Sequence, residues 1–133
     1  MKIKTSELSG AALDWAVAKC EGLNPDESGL VEIGTFKGRA VSVPIFYAPS
    51  QNWAQGGPII ERERIQLRDH IDLRLHWTAS LHVMNSNWVG KMVSSTVFED
   101  GPTLLVAAMR CYVASKLGDE VEVSDELTQG EEA

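Results

Sequence analysis

No apolar run in this chain approaches the roughly 20 residues that a helix needs to cross a bilayer. The start, Met1-Lys2-Ile3-Lys4-Thr5, leads into polar residues and not into the apolar segment of a secretory signal. The expectation is a cytoplasmic protein with no place in a membrane. Cysteine is nearly missing: Cys20 and Cys111 each sit inside an apolar helical pattern, without the neighbours of a zinc or redox motif. They read as reduced, buried thiols. Catalytic signatures are missing too. No serine lies in a Gly-x-Ser-x-Gly elbow, and neither cysteine adjoins a histidine or a cationic cluster. Gly56-Gly57 lacks both the Gly-Lys-Ser/Thr that completes a phosphate loop and the spacing of a dinucleotide fingerprint. No cofactor, metal or catalytic residue is expected, and the chain reads as non-enzymatic.

Basic residues are absent from the last fifteen positions, where Asp119, Glu120, Glu122, Asp125, Glu126, Glu131 and Glu132 fall. Since 19 acids and 12 bases give the net charge of −7, residues 1–118 keep 12 of each, and the whole excess belongs to the end. A neutral body without a basic stripe argues against nucleic acid as a partner, because phosphate neutralisation needs clustered Lys and Arg. Mimicry of DNA would need carboxylates on an ordered face, whereas a terminal run of like charges favours fraying. With 44% hydrophobic residues the 133-residue chain suits one core. The expected organisation is a single α+β domain over residues 1–120 and an acidic, mobile tail over 121–133.

Local patterns supply the elements. Thr5 or Ser6 caps a helix through Leu8, Ala12, Trp15 and Val17 to Cys20, and Gly22 is placed to end it. Residues 30–33 and 40–46 read as strands, the second with Pro44, which lacks an amide donor and so belongs at an edge. From His70 to Trp77 apolar and polar residues alternate without a break, the pattern of one half-buried strand. Met84-Asn85-Ser86-Asn87 reads as a loop before Trp88-Val89 and a segment over 92–98. The last helix follows Asp100 or Gly101, takes Pro102 in its first turn, is apolar over 104–117 and stops at Gly118. The order predicts an α+β fold, a small antiparallel sheet with two main helices packed on one face, and Trp15, Leu105, Met109 and Tyr112 buried between them.

Residues 47–64 concentrate turn formers between two apolar runs and carry the candidate site. Two prolines and Gly56-Gly57 let the backbone approach a ligand closely, while Tyr47, Trp53, Gln55 and Arg62 offer stacking and hydrogen bonds. Arg110 interrupts an apolar helix face; it either snorkels or pairs with a carboxylate such as Asp14, or it lines a pocket. Trp15 and Trp77 read as core, Trp53 and Trp88 as loop anchors or stacking surfaces. A metal reading of His70, Asp72 and His76 fails on one strand, which sets the two histidines about 20 Å apart.

Three blocks carry a resemblance. They are Leu8-Ser9-Gly10-Ala11-Ala12-Leu13-Asp14-Trp15-Ala16-Val17-Ala18, then Pro49-Ser50 with Trp53-Ala54-Gln55-Gly56-Gly57-Pro58-Ile59-Ile60-Glu61-Arg62, then Gly101-Pro102-Thr103 with Ala107-Ala108-Met109-Arg110-Cys111-Tyr112-Val113-Ala114-Ser115-Lys116-Leu117-Gly118-Asp119-Glu120-Val121. The chain resembles the NinX-like proteins of tailed phages and prophages. The resemblance implies a phage accessory protein expressed in the bacterial host cytoplasm and brings no catalytic residue with it. Leu104 departs from the family pattern, which has proline after Thr103, and residues 68–97 match it poorly, so a shared site is expected in the three blocks. Two functions follow. One is binding of a small, nucleotide-like host ligand by Tyr47, Trp53, Gln55, Gly56, Gly57, Arg62 and Arg110, as in counter-defence by sequestration. The other is an adaptor that binds a host or phage protein through residues 47–64 and the acidic tail. A homo-oligomer is compatible with either.

Overall fold

The computed structural model describes residues 2–25, 30–36, 39–70, 76–86 and 92–123. In chain order these form β1 (Lys2–Lys4), a short 3-10 turn (Thr5–Glu7), α1 (Gly10–Cys20), β2 (Leu30–Phe36), β3 (Arg39–Phe46), α2 (Trp53–Glu63), β4 (Gln66–His70), β5 (His76–Ser86), β6 (Met92–Gly101), α3 (Leu104–Leu117) and β7 (Glu120–Glu122). The fold is α+β, as the element order predicts. Its strands form three antiparallel sheets: β1–β7, β2–β3 and β4–β5–β6. Among the described residues no helix is long and apolar enough to cross a membrane.

α3 is the centre of the molecule, because a helix apolar on nearly every side can be covered on every side. It lies across β5 and β6, where Ala79, Leu81 and Val97 meet it, while α1 and α2 pack against its flanks. Leu105, Met109 and Tyr112 are buried as expected. Trp15 is only partly buried, at the edge of the core with Lys19 Nζ 5.5 Å from its ring centre. The other face of the three-stranded sheet carries Thr78, Ser80, His82, Thr96 and Phe98, in register across β5 and β6. Cys111 is buried and its Sγ approaches the Val97 carbonyl at 3.4 Å, so burial pushes this thiol up to about 12; Cys20, half-buried beside Glu21, is pushed up to about 11.

Several boundaries differ from the sequence reading. The first helix starts at Gly10 and not at Ser6, because Thr5 is committed elsewhere: its amide donates to Asp119 O at 2.7 Å and its hydroxyl to Gly118 O at 2.6 Å. The helix ends as expected, with Gly22 at φ +77° and Leu23 N donating to Ala18 O in a Schellman closure. Pro44 stands opposite Glu32 in a two-stranded sheet, where every strand is an edge. Met84, Asn85 and Ser86 are not loop but strand, paired with Ser94, Val93 and Met92. Thr103, and not Asp100 or Gly101, caps α3, since its Oγ1 accepts from Val106 N and leaves Pro102 outside the helix.

The single strand from His70 to Trp77 is the largest correction. His70 ends β4 and His76 begins β5, and the two are cross-strand partners. They are neighbours instead of lying about 20 Å apart. Alternation signals strand character but not the point of reversal, so it fits two antiparallel strands as well as one. Residues 71–75, with Asp72, lie outside the described residues, as does Trp88.

The start of the acidic stretch is part of the fold. Val121 and Val123 are buried, and Val121 pairs with Ile3 across β1 and β7. Positions 124–133, with the rest of the expected tail, lie outside the described residues. Val123→Ala should therefore lower the unfolding free energy by about 1.5 kcal/mol in a urea titration. An unchanged midpoint would mean that this end contributes nothing to the core.

Candidate functional site

Residues 47–64 are not the loop that the prolines and glycines suggest. Tyr47 to Asn52 form a tight connection, and α2 starts at Trp53. Asn52 caps it by accepting from Ala54 N at 2.9 Å. Gly56-Gly57-Pro58 stand inside the helix, where each weakens local propensity. Tertiary contact decides the matter: Ile59 is buried in the core, and Gly56 is buried where a Cβ would collide with Pro49 O and lie 2.7 Å from Leu105 Cδ2. Gln55 is occupied by the backbone before it, accepting from Ala48 N at 2.6 Å and donating to Phe46 O at 2.8 Å. Tyr47 is in the core, where burial and then the Glu21 carboxylate push its hydroxyl up to about 12.

This connection brings Ser50, Gln51 and Trp53 against Trp77 and the start of α3, where they line a groove of about 470 Å³ with Pro102, Thr103, Leu104, Leu105 and Val106. None of the described residues that line it is charged. Trp53 is 53% exposed and Trp77 is partly buried, so two indoles border one open space. Both α2 and α3 begin at this groove, with Trp53 and Leu104 as their first residues. Ser50 donates its amide to Asp14 Oδ1 at 2.8 Å, while its Oγ is buried without a partner.

Arg62 sits at the far end of α2, nine residues or about 14 Å along the helix from Trp53. It is spent on a network: two of its nitrogens donate to the two carboxylate oxygens of Glu21 at 2.9 and 2.7 Å, and Nε donates to Glu63 Oε2 at 2.8 Å. Tyr112 OH joins by donating to Glu21 Oε2 at 2.5 Å. Hydrogen bonding to Arg62 holds the Glu21 carboxyl below the usual range, and the same bond raises the guanidinium. Arg110 is in a third place. Its Nε donates to Leu8 O at 2.6 Å and an Nη to Asp100 O at 2.9 Å, tying α3 to the segment before α1 and to β6.

The seven residues singled out in the sequence thus do not form one surface. Trp53 lines the groove, Gly56 and Gly57 form the helix behind it, Gln55 and Tyr47 hold its connection in place, and Arg62 and Arg110 lie apart. The sequence reading missed Ser50, Trp77 and Thr103. Proline and threonine before a long apolar run do signal a helix start, but nothing local tells that Trp77 and Ser50 meet it. The described residues hold no group of three or more His, Cys, Asp or Glu suited to a metal ion.

A mixed α+β domain with a groove between two helix starts is the class that the geometry defines. The family model described as Bacteriophage P22, NinX matches residues 4–116, and the chain belongs to that family. No curated protein matches it. The groove draws Ser50, Trp53, Pro102 and Thr103 from the blocks on which the sequence resemblance rests, and Trp77 from between them.

Proposed function

We propose that this protein is a non-enzymatic phage accessory protein that binds a small, nucleotide-like host ligand in the groove between Trp53 and Trp77. The observation that carries the reading is Trp53 itself. A ring left 53% exposed at the first position of a capped helix adds little to the core, yet with Trp77 it borders a space of drug-like volume. Indole faces stack on any planar base and discriminate little between bases. Holding such a ligand without reacting with it amounts to sequestration, which in the bacterial cytoplasm would serve counter-defence.

Titrating the purified protein with nucleosides and nucleotides while following tryptophan fluorescence tests this. Trp53→Ala should weaken binding at least about tenfold, the loss of one stacking contact, with the circular dichroism spectrum and melting temperature retained. Loss of folded structure in Trp53→Ala would make the ring architectural and remove this reading. Arg62→Ala, in contrast to the sequence expectation, should leave binding in place and lower the melting temperature.

A second reading rests on other aromatic side chains left in solvent, Phe46 at 59% and Phe98 at 65% exposure. Exposed aromatic groups suit an adaptor that docks a host or phage protein, with residues 47–64 and the acidic end as its contact. Partner capture that survives Trp53→Ala and is lost in Phe46→Ser would favour it over the ligand.

A further inference from the structure

We propose that the β2–β3 ribbon is a dimerisation arm, and that a second copy of this chain lays its own ribbon on the same apolar face. The proposal is independent of the ligand-binding reading of the groove. Three observations carry it. The first is the isolation of the ribbon. Among the described elements β2 and β3 pack extensively only on each other, while α1, α2 and the three-stranded sheet all close on α3. A two-stranded ribbon by itself is marginal in water, and it becomes stable when something covers its apolar face.

The second observation is the register. Residues 30–33 pair with residues 46–43, Val41 and Ser42 form a bulge opposite Gly34, and pairing resumes with Thr35 opposite Ala40. Alternation from this register puts Val31, Ile33 and Thr35 of β2 on one face with Ala40, Val43 and Ile45 of β3. None of the six is charged. The opposite face holds Glu32 and Arg39 together with Phe46, which is 59% exposed. The ribbon is therefore two-sided, with one face suited to water and one that calls for a cover.

The third observation is the extent and chemistry of the uncharged face. Burying one valine or isoleucine side chain removes roughly 100 Å² from water, so the six residues supply on the order of 500 Å² per copy and about 1,000 Å² in a pair. This is the lower bound for a specific interface and suits a dimer in exchange with its monomer. A face of aliphatic side chains is its own complement, because under a two-fold axis each ribbon covers the other in one contact. A charged partner surface would instead be desolvated here without a compensating bond.

Sedimentation velocity of the full chain over the micromolar range tests this. The native chain should shift from one copy to two as its concentration rises. Val43→Asp and Ile33→Asp each place a carboxylate on the shared face and should weaken association at least about tenfold, with the circular dichroism spectrum retained. Glu32→Lys alters the opposite face and should leave association unchanged. A native chain that sediments as a single copy throughout overturns the proposal, and a lowered melting temperature of Val43→Asp would then show that the face is covered within one chain. A dimer that survives both aspartate variants, or that Glu32→Lys abolishes, places the contact elsewhere and overturns the proposal as well. Should the aspartate variants not fold, amide exchange of the native chain decides. Protection over residues 30–46 should rise with concentration, and protection independent of concentration overturns the dimer.

Discussion

Replacing Gly56 by alanine should destabilise the protein by about 3 kcal/mol, whereas the same change at the next residue, Gly57, should stabilise it by about 0.5–1 kcal/mol. Both positions lie inside α2 with helical backbone, so the intrinsic gain of helix propensity is the same for each. What differs is the space. A Cβ on Gly56 meets the Pro49 carbonyl, which is backbone and cannot rotate away, and Leu105 Cδ2 at 2.7 Å. A Cβ on Gly57 meets nothing nearer than Trp53 Cε3 at 3.9 Å, an ordinary contact. Urea titrations of the two variants read the sign directly. If both variants are destabilised alike, α2 does not press against the Pro49 turn. The groove would then lose its inner wall, since Ser50 and Leu105 flank that contact.

Glu21→Ala should cost about 2 kcal/mol, the second largest effect. The carboxylate accepts from Arg62 twice and from Tyr112 once, and so joins the ends of α1 and α2 to the side of α3. Hydrogen bonds to a charged group each contribute roughly 1.5–3 kcal/mol when sheltered, but Arg62 is 50% exposed and water screens its share. The pH dependence follows from the lowered pKa of Glu21. A carboxylate with a folded pKa below its unfolded value of about 4.3 contributes in full above that value. The contribution is lost as the pH falls through the folded pKa. The difference in unfolding free energy between native protein and Glu21→Ala should hence be flat from about pH 5 to 8 and shrink below about pH 4. A difference that persists unchanged in acid would show that packing, and not charge, carries the effect.

What could be read in the sequence was whatever depends on neighbours along the chain. The run from Leu104 to Leu117 with Gly118 behind it, the Gly22 stop and the edge position of Pro44 each need only a few adjacent residues to specify them. The misreadings come from contacts beyond the immediate chain neighbours. Thr5 looks like a helix cap until Gly118 and Asp119 claim its hydroxyl and amide. Gly56-Gly57-Pro58 looks like a turn until Leu105 and Pro49 are seen to fill the space that a side chain would need. His70 and His76 look like two points on one strand until their backbones pair. The candidate site divides in the same way: Trp53 stands out in its own loop-like surroundings, but Ser50 is unremarkable until burial strips it of partners.

The position of α3 in the chain bears on how the protein is made. α1, α2 and the three-stranded sheet all close on residues 104–117, and β1 finds its partner only at Glu120–Glu122. A ribosome therefore releases Leu8, Leu13 and Val17 of the first segments long before the helix that covers them exists. At roughly 5–20 residues per second, the emerging chain carries an uncovered apolar surface for several seconds. The contacts that bury these residues against α3 can form only after the last turn of that helix has left the exit tunnel. Fragments ending before residue 117 should be recovered in aggregates.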